Sequence, residues 1–237
     1  MKADADAVAL EQDPIENRVP VTASDKVWHE VVSWFWVIVA FLFIEGTLVQ
    51  ARVIPSGSME RTVLIGDHLI VSRIGYDAGI PFTTYHVPLW REPKRQQIIV
   101  FRAPLPDQGF PDFIKRCIGL PGDTLEIKAG VVYVNGQALS EPYRADPPNP
   151  QENRGPYVLP PGQYFMMGDN RENSYDSRYW GSVPRENIIG TPVLIYMSID
   201  APEEVWEPGH VAERFETYLK AVIHPSEIRW KRLFHLF

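Results

Sequence analysis

The feature that most constrains this chain is an uncharged run near its start, Val31 to Ile44 (VVSWFWVIVAFLFI), which is apolar on every side. A helix on the surface of a globular domain carries one apolar stripe, whereas a helix apolar all round must be buried or sit in lipid. Crossing a hydrocarbon core about 30 Å thick takes some twenty helical residues, so the flanks have to contribute. The run reaches Val49 by accepting Glu45, and Val27 by accepting His29 and Glu30. Trp28, Trp34 and Trp36 fit the aromatic enrichment of membrane interfaces. The expectation is a transmembrane helix over 27–49, a polar acidic tail over 1–26 and a folded body over 50–237. The acidic tail, and GTLVQARVIP after the run, do not suit a cleaved secretion signal. Lys26 and Arg52 nearly balance across the run, so charge bias alone does not orient it.

From Arg52 onward the pattern changes to short Val/Ile/Leu/Tyr runs, with 22 prolines and 16 glycines in the chain as punctuation. That pattern points to a mainly β body rich in turns. Strands are expected within 68–76 and 96–104. A hairpin is expected over 124–139, where Gly130 and the Asn135-Gly136 pair are turn signals. Residues 140–163, rich in proline and polar groups, read as an exposed loop or mobile flap. A further strand follows Gly190, then a helix near 203–222 and a basic-aromatic end, IRWKRLFHLF, which suits either a lipid surface or packing on the sheet. The net charge of −7 argues against a nucleic-acid binder. The single cysteine, Cys117, excludes an intramolecular disulfide and a cysteine-based metal cluster.

Three segments concentrate hydroxyls, glycines and charges: PSGSMERTVLIGDHLIV (55–71), FIKRCIGLPGD (113–123) and GDNRENSYDSRYWGSVP (168–184). A serine hydroxyl becomes a useful nucleophile only when a neighbouring base takes its proton. None of the six histidines sits in a recognisable triad arrangement, although sequence distance alone does not exclude one. A lysine can serve when burial lowers its pKa from about 10.4 towards 7 or 8. Lys115, between Ile114 and the Cys117-Ile118 pair, is placed for such burial, and on a strand its neighbour Arg116 would point the other way.

These segments resemble, in order, the boxes of the bacterial type I signal peptidases (leader peptidases), membrane-bound Ser/Lys peptidases. The similarity runs from about 52 to 192, through P-S-G-S-M, L-I-G-D, K-R-x-I-G-L-P-G-D and G-D-N-R-x-N-S-x-D-S-R-Y-W-G, with the apolar run ahead of them. The resemblance implies a signal-peptidase-type antiparallel β-sheet body with a small hairpin and flap insert over about 124–165, a C-terminal extension over about 203–237, and one N-terminal transmembrane helix. It implies Ser58 as nucleophile, Lys115 as general base and Ser174 orienting the lysine amine. The oxyanion hole would be the Ser58 backbone N–H and the Ser56 hydroxyl. Asp176 and Arg178 would form a supporting ion pair, for which a purely structural role fits equally well. Substrate-pocket walls would come from Ile54, Pro55, Met59, Val63, Leu69, Val100, Asp112, Phe113 and Ile114, each of which taken alone reads first as core.

The implied reaction is removal of N-terminal signal peptides from exported preproteins, cutting after small residues at positions −1 and −3. The implied enzyme is a monomer at the bacterial inner membrane, with its catalytic body on the extracytoplasmic face. Preprotein signal peptides and membrane lipid are its partners, and neither nucleic acid nor a metal or other cofactor is needed. The chain departs from the family where Glu60-Arg61-Thr62 replaces Glu-Pro-Thr and Arg95-Gln96-Gln97 replaces Arg-Gly-Asp. Two other readings remain. One is a different Ser/Lys processing peptidase, disfavoured as a self-cleaving regulator because no DNA-binding module precedes Ser58. The other is an inactive anchored peptide-binding domain, which would not need Ser58, Lys115 and Ser174 together.

Overall fold

The computed structural model describes residues 23–80, 83, 85–102, 104 and 112–237. The expected tail lies outside the described residues as far as Thr22, and residues 23–26 already belong to the first helix. Two compact units divide the chain, residues 1–41 and 42–237.

Helix α1, Ala23–Thr47, contains the apolar run. Its stretch Lys26–Thr47, 22 residues with none of the spanning window buried in protein, is about 33 Å long at 1.5 Å per residue. The flanks therefore do complete the length that the fourteen-residue run lacks.

The body is built of antiparallel strands. Strand β1 is Val49–Val53 and β2 Asp67–Ser72; a short hairpin follows, β3 Asp77–Gly79 and β4 His86–Pro88, then β5 Ile98–Arg102 and β6 Asp112–Gly119. Next come β7 Thr124–Lys128, β8 Val131–Val134, β9 Gln137–Ala138 and β10 Arg154–Val158. Strand β11 (Gln163–Met167), helix α2 (Ser177–Trp180), β12 (Val183–Pro184), β13 (Ile188–Ser198), helices α3 (Glu203–Trp206) and α4 (Val211–Ile223), and β14 (His235–Leu236) complete it. The main sheet runs β1-β2-β13-β5-β6-β11-β12 with β14 on β13, and a second sheet runs β10-β7-β8-β9. Pro192, which cannot donate to a ladder, lies in β13 where its register against β2 shifts.

The second sheet begins as the expected hairpin. Ala129-Gly130 and Asn135-Gly136 all have positive φ, from 47° to 81°, which turns adjoining strands sharply without splaying them. The segment expected as an exposed loop or mobile flap, 140–163, is largely exposed loop up to β10, and it is fastened to the second sheet. Arg144 is buried and donates to the Gly130 carbonyl at 2.6 Å and the Pro147 carbonyl at 3.1 Å, and β10 pairs with β7. The expected helix over 203–222 is two helices, split around Pro208 and Gly209, the latter at φ 99°. The basic-aromatic end packs on the sheet. His235 and Leu236 pair with Ile195 and Leu194, and Arg232 grips buried Asp67 at 2.6 Å.

Candidate active site

Ser58 sits in a single 3-10 turn, Gly57–Met59, between β1 and β2. Met59 is fully buried with Ile54, Val63, Leu69 and Val100 in one core cluster, against which Ile114 packs, so the turn is held by its own side chain. Asn170 supplies a second hold. Its backbone N–H donates to the Ser58 carbonyl at 3.1 Å, and its Nδ2 donates to the Gly57 carbonyl at 3.2 Å.

Lys115 comes from the middle of β6, in register with Ile99 of β5. Its Nζ and the Ser58 Oγ share a hydrogen bond, and the two residues are 5% and 6% exposed. Burial lowers the amine from its ordinary 10.5 to about 8, with Arg178 helping and the Asp176 and Asp169 carboxylates opposing. An amine so tuned is substantially neutral in mildly alkaline solution. It can then accept the hydroxyl proton as Oγ attacks a carbonyl, and return it to a leaving amine.

Around this pair the structure differs from expectation in three ways. Ser174, expected at the lysine amine, donates its hydroxyl to Asp176 Oδ2 at 2.7 Å, a buried carboxylate being the stronger acceptor. Among the described residues, Ser58 Oγ is the hydrogen-bond partner of the Lys115 amine. Second, Ile54, Met59, Val63, Leu69 and Val100 are at most 3% exposed, so they floor the site as core rather than standing as open pocket walls. Pro55, Phe113 and Ile114 are half-buried and nearer solvent. Third, half-buried Asp112 is taken up in an ion pair with Arg52. Ser56 precedes the nucleophile's turn in an extended conformation and does not cap it through its hydroxyl.

Asp176 is wholly buried and works as a hub. It accepts from Gly168 N at 3.0 Å and Ser174 Oγ at 2.7 Å, and Arg178 Nε reaches it at 2.8 Å. The candidate histidine nearest Ser58 in sequence, His68, is engaged elsewhere, its ring nitrogens 2.9 Å from the Gly66 carbonyl and 2.8 Å from the Tyr218 hydroxyl. Burial lowers its pKa.

Reading the sequence missed three residues here. A Cβ on Gly168 would lie 2.3 Å from Ser174 Oγ and 2.5 Å from the Ser58 carbonyl, so only glycine fits between the two serines. Asp169 binds Arg116 through Nε at 2.8 Å and the Thr62 hydroxyl at 2.5 Å, tying β6 to the loop after the nucleophile. Asn170 is the third. The signal was present, since all three open the GDNR box, but a box does not say which member touches what.

A β body that buries a serine–lysine pair, carried behind an apolar anchoring helix, defines a membrane-anchored serine peptidase. A family model described as "Signal peptidase, peptidase S26" matches residues 27–197. The probable signal peptidase I-2 of Synechocystis sp. is 44% identical over 170 residues, 70% of this chain and 72% of that protein. The signal peptidase I of Leptolyngbya laminosa is 35% identical over 214 residues, 88% of this chain and 98% of that one. A solved signal peptidase I from Enterococcus faecalis V583 aligns at 34% identity with a TM-score of 0.37, over 43% of this chain and 97% of that one. The chain belongs to the signal peptidase, peptidase S26, family.

Proposed function

We propose that this enzyme removes N-terminal signal peptides from exported preproteins, with Ser58 as nucleophile and Lys115 as general base. The observation that carries the reading is the buried amine of Lys115 on the Ser58 hydroxyl, lowered to about 8 by desolvation. In this reading the Ser58 N–H and the Ser56 hydroxyl receive the oxyanion, a contribution of about 3 kcal/mol per donor. Asp176, braced by Arg178, fixes Ser174 and Gly168 beside the nucleophile. The cut falls after small residues at positions −1 and −3, admitted by Pro55, Phe113 and Ile114 over the apolar floor.

The anchor accounts for the substrate. Eleven residue steps lead from Thr47 to Ser58, at most about 36 Å of extended chain. The nucleophile is therefore held near the bilayer that also contains the apolar part of a signal peptide, which raises its effective concentration. In this arrangement residues 1–26 lie in the cytoplasm, 27–49 span the bacterial inner membrane, and 50–237 form a monomeric catalytic domain outside it.

The test is incubation of wild-type and Ser58→Ala protein with a preprotein in detergent. Wild type should cut once, after small residues at −1 and −3, while Ser58→Ala is silent with unchanged thermal melting. Full cleavage by Ser58→Ala would overturn the mechanism.

A further inference from the structure

The GDNRENSYDSRY segment carries two exposed tyrosines that the catalytic machinery does not use. Tyr175 and Tyr179 are 48% and 53% exposed, yet their rings stack with 5.3 Å between centroids and 26° between planes. The guanidinium of Arg154, on β10, lies 4.7 Å from the Tyr179 ring centroid, and its Nη1 donates to the Arg178 carbonyl at 3.1 Å. Glu152 stands 3.4 Å from its Nε. The rings are thus held from the second sheet although solvent reaches them. Exposed aromatic rings fixed in this way offer a rigid contact face at little cost in side-chain freedom.

What passes over these rings follows from the strand edges. Strand β5 covers one edge of β6 along Asp112–Arg116. On the other edge β11 pairs from Arg116 onward, Met167 with Arg116, Met166 with Cys117 and Phe165 with Gly119. Among the described residues, that second edge has no strand partner over Asp112–Lys115. An extended peptide added there lies end-on to β11 and meets Gly168, where β11 stops beside Ser58 and Ser174. From that point the peptide has to leave the sheet across the loop 168–175. Buried Ser174 and Asp176 turn inwards and bond each other, which leaves Tyr175 between them facing outwards over that exit.

Side-chain alternation then sets the register. In the proposed reaction the residues at −3 and −1 point to the apolar floor, and alternate side chains of an extended strand share a face, so the next to point that way is +2. We propose that Tyr175, backed by Tyr179 and Arg154, forms a subsite for the second residue after the cut and favours an aromatic or large apolar side chain there. A ring takes such a side chain by stacking or edge contact, whereas an alanine leaves it bare. Tyr175 fills one of the two places that the G-D-N-R-x-N-S-x-D-S-R box leaves open, so the preference belongs to this chain's own sequence. The inference rests on the signal-peptide-cleaving reading, since +2 has meaning only for a peptide cut at Ser58.

The test gives the full chain, in detergent, soluble peptides with alanine at −3, −1 and +1 and either phenylalanine or alanine at +2. Wild type should show a kcat/KM about fivefold higher for the phenylalanine peptide, the size expected of one aromatic contact. Tyr175→Ala should remove that ratio and Tyr175→Phe should keep it. A ratio near one in wild type, or one that survives Tyr175→Ala, overturns the proposal. So does a Tyr175→Ala defect that is seen only with a vesicle-embedded preprotein and is blind to +2, which would make the rings a lipid contact. A second readout needs no cleavage. Ser58→Ala protein, titrated calorimetrically with the same peptides, should bind the phenylalanine peptide more tightly by a similar ratio, and Ser58→Ala/Tyr175→Ala should bind the two alike. Equal binding of the two peptides by Ser58→Ala also overturns the proposal. If wild type cuts neither peptide, the failure falls on the proposed function, and the titration alone decides the subsite.

Discussion

Lys115 and Arg116 are consecutive on β6 and buried almost equally, at 5% and 8% exposure, yet their surroundings are opposite. Arg116 has a full set of partners. Its Nε and Nη2 hold Asp169 at 2.8 and 2.5 Å, its Nη1 donates to the Gln96 carbonyl at 2.7 Å, and its guanidinium lies 3.8 Å from the Tyr143 ring centroid. Lys115 hydrogen-bonds to the hydroxyl of Ser58. Alternation along the strand separates the two side chains. A buried cation given a carboxylate becomes a brace, whereas one given only a hydroxyl is under pressure to lose its proton. Burial is what lowers the Lys115 amine, and the Asp176 and Asp169 carboxylates oppose it without hydrogen-bonding to the amine.

The strongest way to break this contrast is Lys115→Met, which keeps the length of the side chain and removes the amine. Cleavage should fall by about 10⁴-fold or more, and adding Ser58→Ala should cost little further, because residues that act as one unit are not additive. Measured single-turnover rates that add instead would mean that the two residues act separately. Next in size is Arg116→Met, which strands Asp169 in the core. Leaving one member of a buried pair uncompensated costs about 3–5 kcal/mol. Melting of the body should fall by roughly 10 °C at about 2–4 °C per kcal/mol. A melt within a degree of wild type would show that the pair braces nothing.

The serine–lysine pair was legible because each member lies in a box with few interpretations, and the fold class because period-two runs and turn residues repeat through the body. What escaped was set by tertiary neighbours. No feature of the GDNRENSYDSR segment distinguishes a hydroxyl aimed at Lys115 from one aimed at Asp176, two residues along its own loop. Apolar residues such as Met59 and Leu69 look alike whether they face a substrate or the interior. Residues 140–163 read as an exposed loop or mobile flap because they are polar and rich in proline, and nothing in that composition shows that one buried arginine, Arg144, fastens the loop. The break between α3 and α4 was available, in contrast, since Pro208-Gly209 is a stop signal.

The smallest predicted effect sharpens the contrast most, because it reverses the sign of a core substitution. The unfolded chain carries Lys115 near its ordinary 10.5, and the folded protein carries it near 8. Between those values the unfolded state binds more protons, so raising the pH favours folding. Below pH 8 the folded state bears the whole penalty, roughly 3 kcal/mol for a shift of this size. Lys115→Met should therefore be more stable than wild type at pH 7, by an amount approaching that penalty less any imperfect packing of the thioether. The advantage should shrink as the pH rises from 8 and be gone above about 10.5. In wild type the same titration should appear as a rise in kcat/KM with an apparent pKa near 8. Denaturant unfolding of both proteins at pH 7 and pH 10 measures the first effect. A variant that is destabilised equally at both pH values would show that the Lys115 amine is not held against its charge.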